Sequence, residues 1–138
     1  MKRPLLWIQL VLAAAVALGV WLQVYFIASF FFGAEDALDV HESIGFVMHI
    51  LEALVFLAAL GAWWRNWGKI GHAFGLIAIG TIQLSLTGGD DWVGGLHGLF
   101  ALLILVIAVF IVKWDTDALG LTGGRDDDAD SAPAQPLP

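Results

Sequence analysis

The first charge-free stretch of this chain decides which class of protein it can belong to. From Leu5 to Phe32 the sequence contains no Asp, Glu, Lys, Arg or His, and most of its residues are apolar. About 20 consecutive apolar residues are enough for a helix to cross the hydrocarbon core of a bilayer. Three further apolar runs follow, at about residues 40–64, 70–86 and 92–112. We therefore predict four transmembrane helices, of which the first (5–32) is long enough to be tilted.

The composition indicates the same class of protein. Hydrophobic residues make up 59% of the 138 residues and charged residues only 14%, with a mean hydropathy of +0.83. A typical soluble domain has about a quarter charged residues. The chain has no cysteine, which excludes disulfides, thiolate metal sites and cysteine nucleophiles. Its net charge of −7 argues against nucleic acid as a partner, because nucleic acid binds basic surfaces.

Charged residues in the loops predict the orientation in the membrane. In a four-span topology five basic residues fall on one face and two acidic loops, 33–39 and 87–91, fall on the other; the basic residues are Lys2, Arg3, Arg65, Lys69 and Lys113. Basic loops stay in the cytoplasm, so both termini are predicted to be cytoplasmic, in the cell inner or plasma membrane. Residues 1–114 form one predicted domain, and the Asp-, Gly- and Pro-rich residues 115–138 form a predicted disordered tail.

Two halves of the chain share a pattern of polar residues. In the first half Gln23 precedes an acidic loop and His41, and in the second half Gln83 precedes an acidic loop and His97. Polar residues are costly inside a bilayer, so their agreement in order and depth is informative. Short loops make consecutive helices antiparallel neighbours. The predicted fold is therefore an all-α, up-down four-helix bundle, built as a pseudo-twofold repeat of two helical hairpins.

His41 and His97 are the candidate ligand pair. Both begin a helix on the same predicted side of the bundle, near the extracytoplasmic surface. Two imidazoles from separate helices in a bundle core suit the axial positions of a haem iron. Hydrogen bonds from Gln23 and Gln83 would set the tautomers of these histidines. In the alternative interpretation the histidines are polar interface residues and nearby small residues serve helix packing, which spacing alone slightly favours.

Three other ionisable residues fall within the apolar runs or at their edges. His49 lies two turns deeper than His41, and is a rival axial ligand or a member of a proton relay. Glu52 lies deeper still and is predicted to be protonated or hydrogen-bonded inside the bundle. His72 begins the third helix at the opposite face and is predicted to be an interface residue, since no second histidine lies at its depth.

These residues resemble an uncharacterised family of small four-helix bacterial membrane proteins. The shared pattern is Gln23 in the first helix, Asp39-Val40-His41-Glu42-Ser43-Ile44-Gly45 opening the second, Gln83 in the third and Leu96-His97 opening the fourth. In that family a proline often follows the last histidine, where this chain has Gly98. More distantly, the arrangement is similar to one four-helix half of haem A synthase, whose histidines on the second and fourth helices face a haem. This resemblance implies ligation of haem b by His41 and His97, and does not imply haem A synthesis.

The leading hypothesis is thus a haem-b-binding membrane protein that serves electron transfer or haem handling. Its expected partners are the lipid bilayer and either a quinone or a larger respiratory complex. Two alternatives stay open: a non-catalytic small subunit or scaffold of a larger membrane complex, and a small proton-coupled transporter that uses His49 and Glu52. The sequence carries no readable catalytic motif and does not decide whether the protein is an enzyme.

Overall fold

Four helices account for almost all of the described chain. The computed structural model describes residues 2–87 and 91–122, which contain α helices and no strand. The helices are α1 (Lys2–Phe31), α2 (Ala37–Ala62), α3 (Trp67–Ser85) and α4 (Asp91–Leu119). α1 and α3 each pack against both α2 and α4, so that every helix has two neighbours in a helical bundle.

Three of the four helices have the length and apolar character of membrane spans. They are α1, α2 and residues 92–119 of α4. The chain is therefore a membrane protein. α3 is not among the three: it has 19 residues, and its ends carry Lys69, His72 and Gln83. Large apolar side chains such as Trp21, which is 65% exposed, cover the outside of the bundle, where lipid would surround them.

Two glycines end helices in the left-handed conformation. At the end of α1, Gly33 has φ +100°, its N–H donates to the Phe30 carbonyl, and the Ala34 N–H donates to the Ser29 carbonyl. Gly120 ends α4 in the same way, with φ +74°. These paired bonds satisfy the last carbonyls of each helix and need a residue at positive φ, which glycine adopts without a Cβ clash.

α4 continues well beyond its predicted end near residue 112, and reaches Leu119. The reason is packing that the sequence does not reveal. Asp115 is fully buried and accepts a hydrogen bond from Trp63 Nε1 at 3.1 Å, and Leu119 packs against Leu6. Residues 115–119 of the predicted tail are therefore helical. The prediction of disorder for residues 123–138 lies outside the described residues.

Trp63, at the end of α2, joins three helices. Its indole N–H donates to Asp115 of α4, and Lys69 of α3 places its ammonium 3.2 Å from the centre of the Trp63 ring. The face of an indole attracts a cation because of the ring quadrupole. Asn66 caps the start of α3 by accepting the Lys69 backbone N–H at 3.2 Å. This end of the bundle is thereby tied together.

The packed core lies towards the end of the bundle that contains Trp63. Its fully buried members include Val16, Val55, Leu76 and Ile111, one from each helix. Towards the other end, where the loops after α1 and α3 lie, the helices surround an open cavity instead. The four helices are thus tightly packed at one end of the bundle and surround a cavity at the other.

Candidate functional site

The open half of the bundle contains one large cavity lined by all four helices. Its volume is about 820 Å³, within the range of about 300–1,000 Å³ that is usual for ligand sites. Most of its wall is apolar. Every residue that the sequence predicted to bind a cofactor lines this cavity: Gln23, His41, His49, Gln83 and His97. Glu52 lines it as well.

His41 and His97 face each other across this cavity. Their ring centroids are 6.1 Å apart, and the ring planes are inclined by 55°. Two imidazoles on opposite sides of one metal ion have centroids about 6.4 Å apart, given metal–nitrogen bonds of about 2.0 Å. The observed centroid separation is of this size. Bundle packing alone brings together two residues that are far apart in the sequence.

Hydrogen bonds define the tautomer of both histidines. His41 Nδ1 lies 3.1 Å from the backbone carbonyl oxygen of Gln23, and His97 Nδ1 lies 3.3 Å from that of Gln83. A carbonyl oxygen can only accept, so each Nδ1 carries a proton, and in the neutral imidazole Nε2 is then the acceptor. A neutral imidazole that donates Nδ1–H to a carbonyl is the usual form of a metal-ligating histidine.

Both glutamines hydrogen-bond the histidines. Each accepts the histidine Nδ1–H through its backbone carbonyl, and Gln83 also contacts His97 through its side chain. The side-chain Nε2 of Gln83 lies 3.4 Å from His97 Nε2, which agrees with an acceptor at that nitrogen. The side chain of Gln23 lies against Gly45, where a Cβ would come within 2.9 Å of its Nε2. Gly45 therefore gives space to Gln23 beside His41.

Deeper in the cavity, His49 and Glu52 form a hydrogen-bonded pair. His49 Nδ1 is 3.0 Å from Glu52 Oε2, and the Glu52 side chain is only 5% exposed whereas that of His49 is 27% exposed. Gly80 of α3 makes room for this pair, because a Cβ there would overlap the Glu52 carboxyl group. The i, i+3 spacing of His49 and Glu52 was the available signal for their pairing.

Three glycines of α4 shape another part of the wall. A Cβ built on Gly94, Gly95 or Gly98 would meet nothing within 4 Å, although all three residues line the cavity. Glycines that bring helices close together leave no such space. The packing interpretation of small residues therefore does not apply to these three. They keep the wall beside His97 free of side chains.

His72 lies apart from the cavity. It is exposed, its Nδ1 is 2.7 Å from the Gly68 carbonyl oxygen, and its ring meets the edge of Trp114 at 4.8 Å between centroids. Three of the four histidines of the chain thus lie in the cavity, and the fourth belongs to the opposite end, as an interface residue would.

Within residues 2–87 and 91–122, no group of three or more His, Cys, Asp or Glu side chains could hold a bare ion. A porphyrin supplies four ligands to its iron and leaves two axial positions, so two histidines suffice. The facing imidazoles, the apolar walls and the open glycine surface all fit such a group.

No family model, curated protein or solved structure matches this chain.

Proposed function

We propose that this protein binds haem b in the membrane, with His41 and His97 as the axial ligands. One observation carries the proposal: two imidazoles 6.1 Å apart, each with Nδ1 held by a backbone carbonyl so that the neutral ring has its acceptor at Nε2. The distant resemblance to one half of haem A synthase supports it. A bound haem supplies one-electron chemistry, and the protein ligates the iron, fixes the imidazoles and surrounds the ring with apolar walls.

The proposed assembly is a four-span bundle made of two related hairpins. In α1–α2 and again in α3–α4, a histidine at the start of the second helix donates to the carbonyl of a glutamine in the first. These equivalent bonds support the pseudo-twofold repeat. The basic residues at the end opposite the cavity favour an orientation with both termini in the cytoplasm of the cell. The haem would then lie near the extracytoplasmic surface of the inner membrane.

His41 is a better ligand candidate than His49. Both have Nδ1 engaged in a hydrogen bond, so tautomer does not separate them. His41, however, has a second imidazole facing it at 6.1 Å, and His49 has Glu52 beside it instead. A six-coordinate haem iron with two histidines requires the pair that faces across the cavity.

The proposed role is electron transfer or haem handling. One haem near one surface cannot carry electrons across the whole bilayer, so electron transfer needs a partner. Either a quinone dissolved in the bilayer or a larger respiratory complex would serve as that partner.

The visible spectrum tests the proposal. The full chain is expressed with ample haem supply, purified in mild detergent and measured oxidised and reduced. We expect a Soret band and sharp reduced α and β bands, which His41→Ala and His97→Ala each abolish. His72→Ala is the matched control and keeps the spectrum. A colourless wild-type protein refutes the proposal, and a spectrum that survives His41→Ala but not His49→Ala moves the ligand two turns deeper.

A further inference from the structure

We infer that the deep end of the cavity, at His49 and Glu52, binds the headgroup of a lipid-soluble quinol. The electron-transfer step of this inference rests on the haem proposed above, whereas the binding step does not. Binding depends only on the cavity, the polar pair and the route from the bilayer.

The His49–Glu52 pair lies apart from the proposed ligands His41 and His97 but lines the same cavity. His49 is two helical turns from His41, about 12 Å along the axis of α2. The cavity lining also includes apolar side chains such as Val20, Met48 and Ile104. A molecule at the deep end therefore meets an apolar surface and two polar groups on one side of it.

The polar pair has a high energetic cost in the core of the bundle. An ionisable group inside a membrane bundle is costly unless it is bonded, and such groups usually mark a functional site. Glu52 is 3% exposed, and His49 is its hydrogen-bonding partner in the described part of the chain. α3 has a glycine at Gly80, which leaves space for the carboxyl group. An apolar residue at position 52 would pack without these accommodations.

With the shared proton on His49 Nδ1, the remaining atoms of the pair accept hydrogen bonds and suit a ligand that donates them. Glu52 Oε2 is engaged with His49 Nδ1. When Nδ1 carries the proton, His49 Nε2 and Glu52 Oε1 are both acceptors. In the described chain neither atom has another hydrogen-bonding partner. A quinol offers O–H donors to these acceptors, whereas an oxidised quinone offers only carbonyl acceptors. The reduced form should therefore bind more tightly than the oxidised form.

The inferred route into the cavity passes between apolar side chains. Several apolar residues that line the cavity have a large exposed fraction; among them are Val24 (48%), Leu84 (41%) and Leu102 (54%). Such a surface suits a lipid-soluble molecule. A quinol fits this route because its tail stays in lipid while its headgroup reaches the polar pair.

The redox step balances with the haem as oxidant. Oxidation of one quinol to the quinone converts two C–O–H groups into carbonyls and releases two electrons and two protons. A bound haem would accept these electrons one at a time, so one quinol would supply two haem-loaded protein molecules. His49 Nε2 accepts the first phenolic proton while the Nδ1 proton shifts to Glu52 Oε2. The pair releases that proton and then carries the second proton in the same way. No covalent bond to the protein forms.

The experiment uses decylubiquinol and decylubiquinone with the purified full chain in detergent. Calorimetry measures binding of each, and stopped-flow absorbance follows haem reduction by the quinol. We expect the quinol to bind more tightly, and one quinol to reduce two haems. Glu52→Gln keeps the size of the side chain but removes proton acceptance. It should weaken quinol binding by about tenfold and slow reduction by about a hundredfold, with the haem spectrum unchanged. Glu35→Gln, in the exposed loop after α1, is the control.

Each outcome separates the two proposals. A haem spectrum with no quinol binding, or with binding and reduction rates equal in Glu52→Gln and wild type, overturns the quinol site and leaves the haem. Quinol binding that needs Glu52 in a colourless protein supports the site and refutes the haem. Equal affinity for quinol and quinone, or displacement of the quinol by oleic acid at equal concentration, also overturns the inference, because either result shows a site without donor selectivity.

Discussion

The contact between Gly80 and Glu52 gives the sharpest test of the described geometry. A Cβ at Gly80 would overlap the Glu52 carboxyl group, which is hydrogen-bonded to His49. The Glu52 side chain is only 5% exposed. Gly80→Ala therefore forces that carboxyl group to move. The movement breaks the 3.0 Å bond to His49 and compresses the interface of α2 and α3.

The expected fall in the free energy of unfolding is the balance of two destabilising effects and one stabilising effect. Overpacking of a tight site costs about 1–3 kcal/mol, and loss of a hydrogen bond to an ionisable group costs about 1.5–3 kcal/mol. Alanine favours the helix over glycine by about 1 kcal/mol. We therefore expect the free energy of unfolding to fall by about 1.5–5 kcal/mol in Gly80→Ala.

Equilibrium unfolding in mixed detergent micelles, followed by circular dichroism, measures this change. Gly75→Ala is the matched control, because it lies on the same helix and a Cβ there meets nothing within 4 Å. It should be neutral or stabilising by about 1 kcal/mol. The double variant Gly80→Ala with Glu52→Ala should recover about 2–3 kcal/mol relative to the sum of the single changes. Equal stability of the two glycine variants would refute the contact.

Three further changes test other parts of the molecule. Trp63→Phe removes the N–H that bonds the fully buried Asp115, and should lower the free energy of unfolding by about 1–3 kcal/mol in the same assay. Gly98→Leu places a side chain in the open space beside His97, and should weaken haem binding by about tenfold or more in a haem titration, as overpacking would. Gly120→Ala forces a Cβ into a residue with φ +74°, and should destabilise the protein by about 1–2 kcal/mol.

Each of these changes has a control at an exposed site. Trp67 is 77% exposed, so Trp67→Phe should leave stability unchanged; equal effects of both tryptophan variants would show that the bond to Asp115 contributes little. Gly71→Leu adds the same side chain away from the cavity, and unaltered haem binding in both leucine variants would show that the open wall is not a haem surface. Gly71→Ala serves as the control for Gly120→Ala. Gly71→Ala should raise the free energy of unfolding, whereas Gly120→Ala should lower it.

Much of the helical architecture follows from the sequence. The order of the four helices agrees with the apolar runs, since hydropathy and helix length depend on local composition. The beginnings and ends agree to within a few residues, except at the end of α4. There Asp115 and Thr116 carry no local signal for a helix. Their helix continues because Trp63, distant in sequence, donates to Asp115 and because Leu119 is buried.

The sequence by itself determined that the chain is helical and apolar enough for a membrane, and that His41 and His97 begin helices in matching positions. It did so because hydropathy and the order of loops are properties of the linear chain. Only the tertiary structure decided that their rings lie 6.1 Å apart, that backbone carbonyls of Gln23 and Gln83 hold them, and that His49 bonds Glu52 beneath them. Those features depend on the rotation of each helix about its axis, which is set by side chains packing between helices and not by the pattern within one helix.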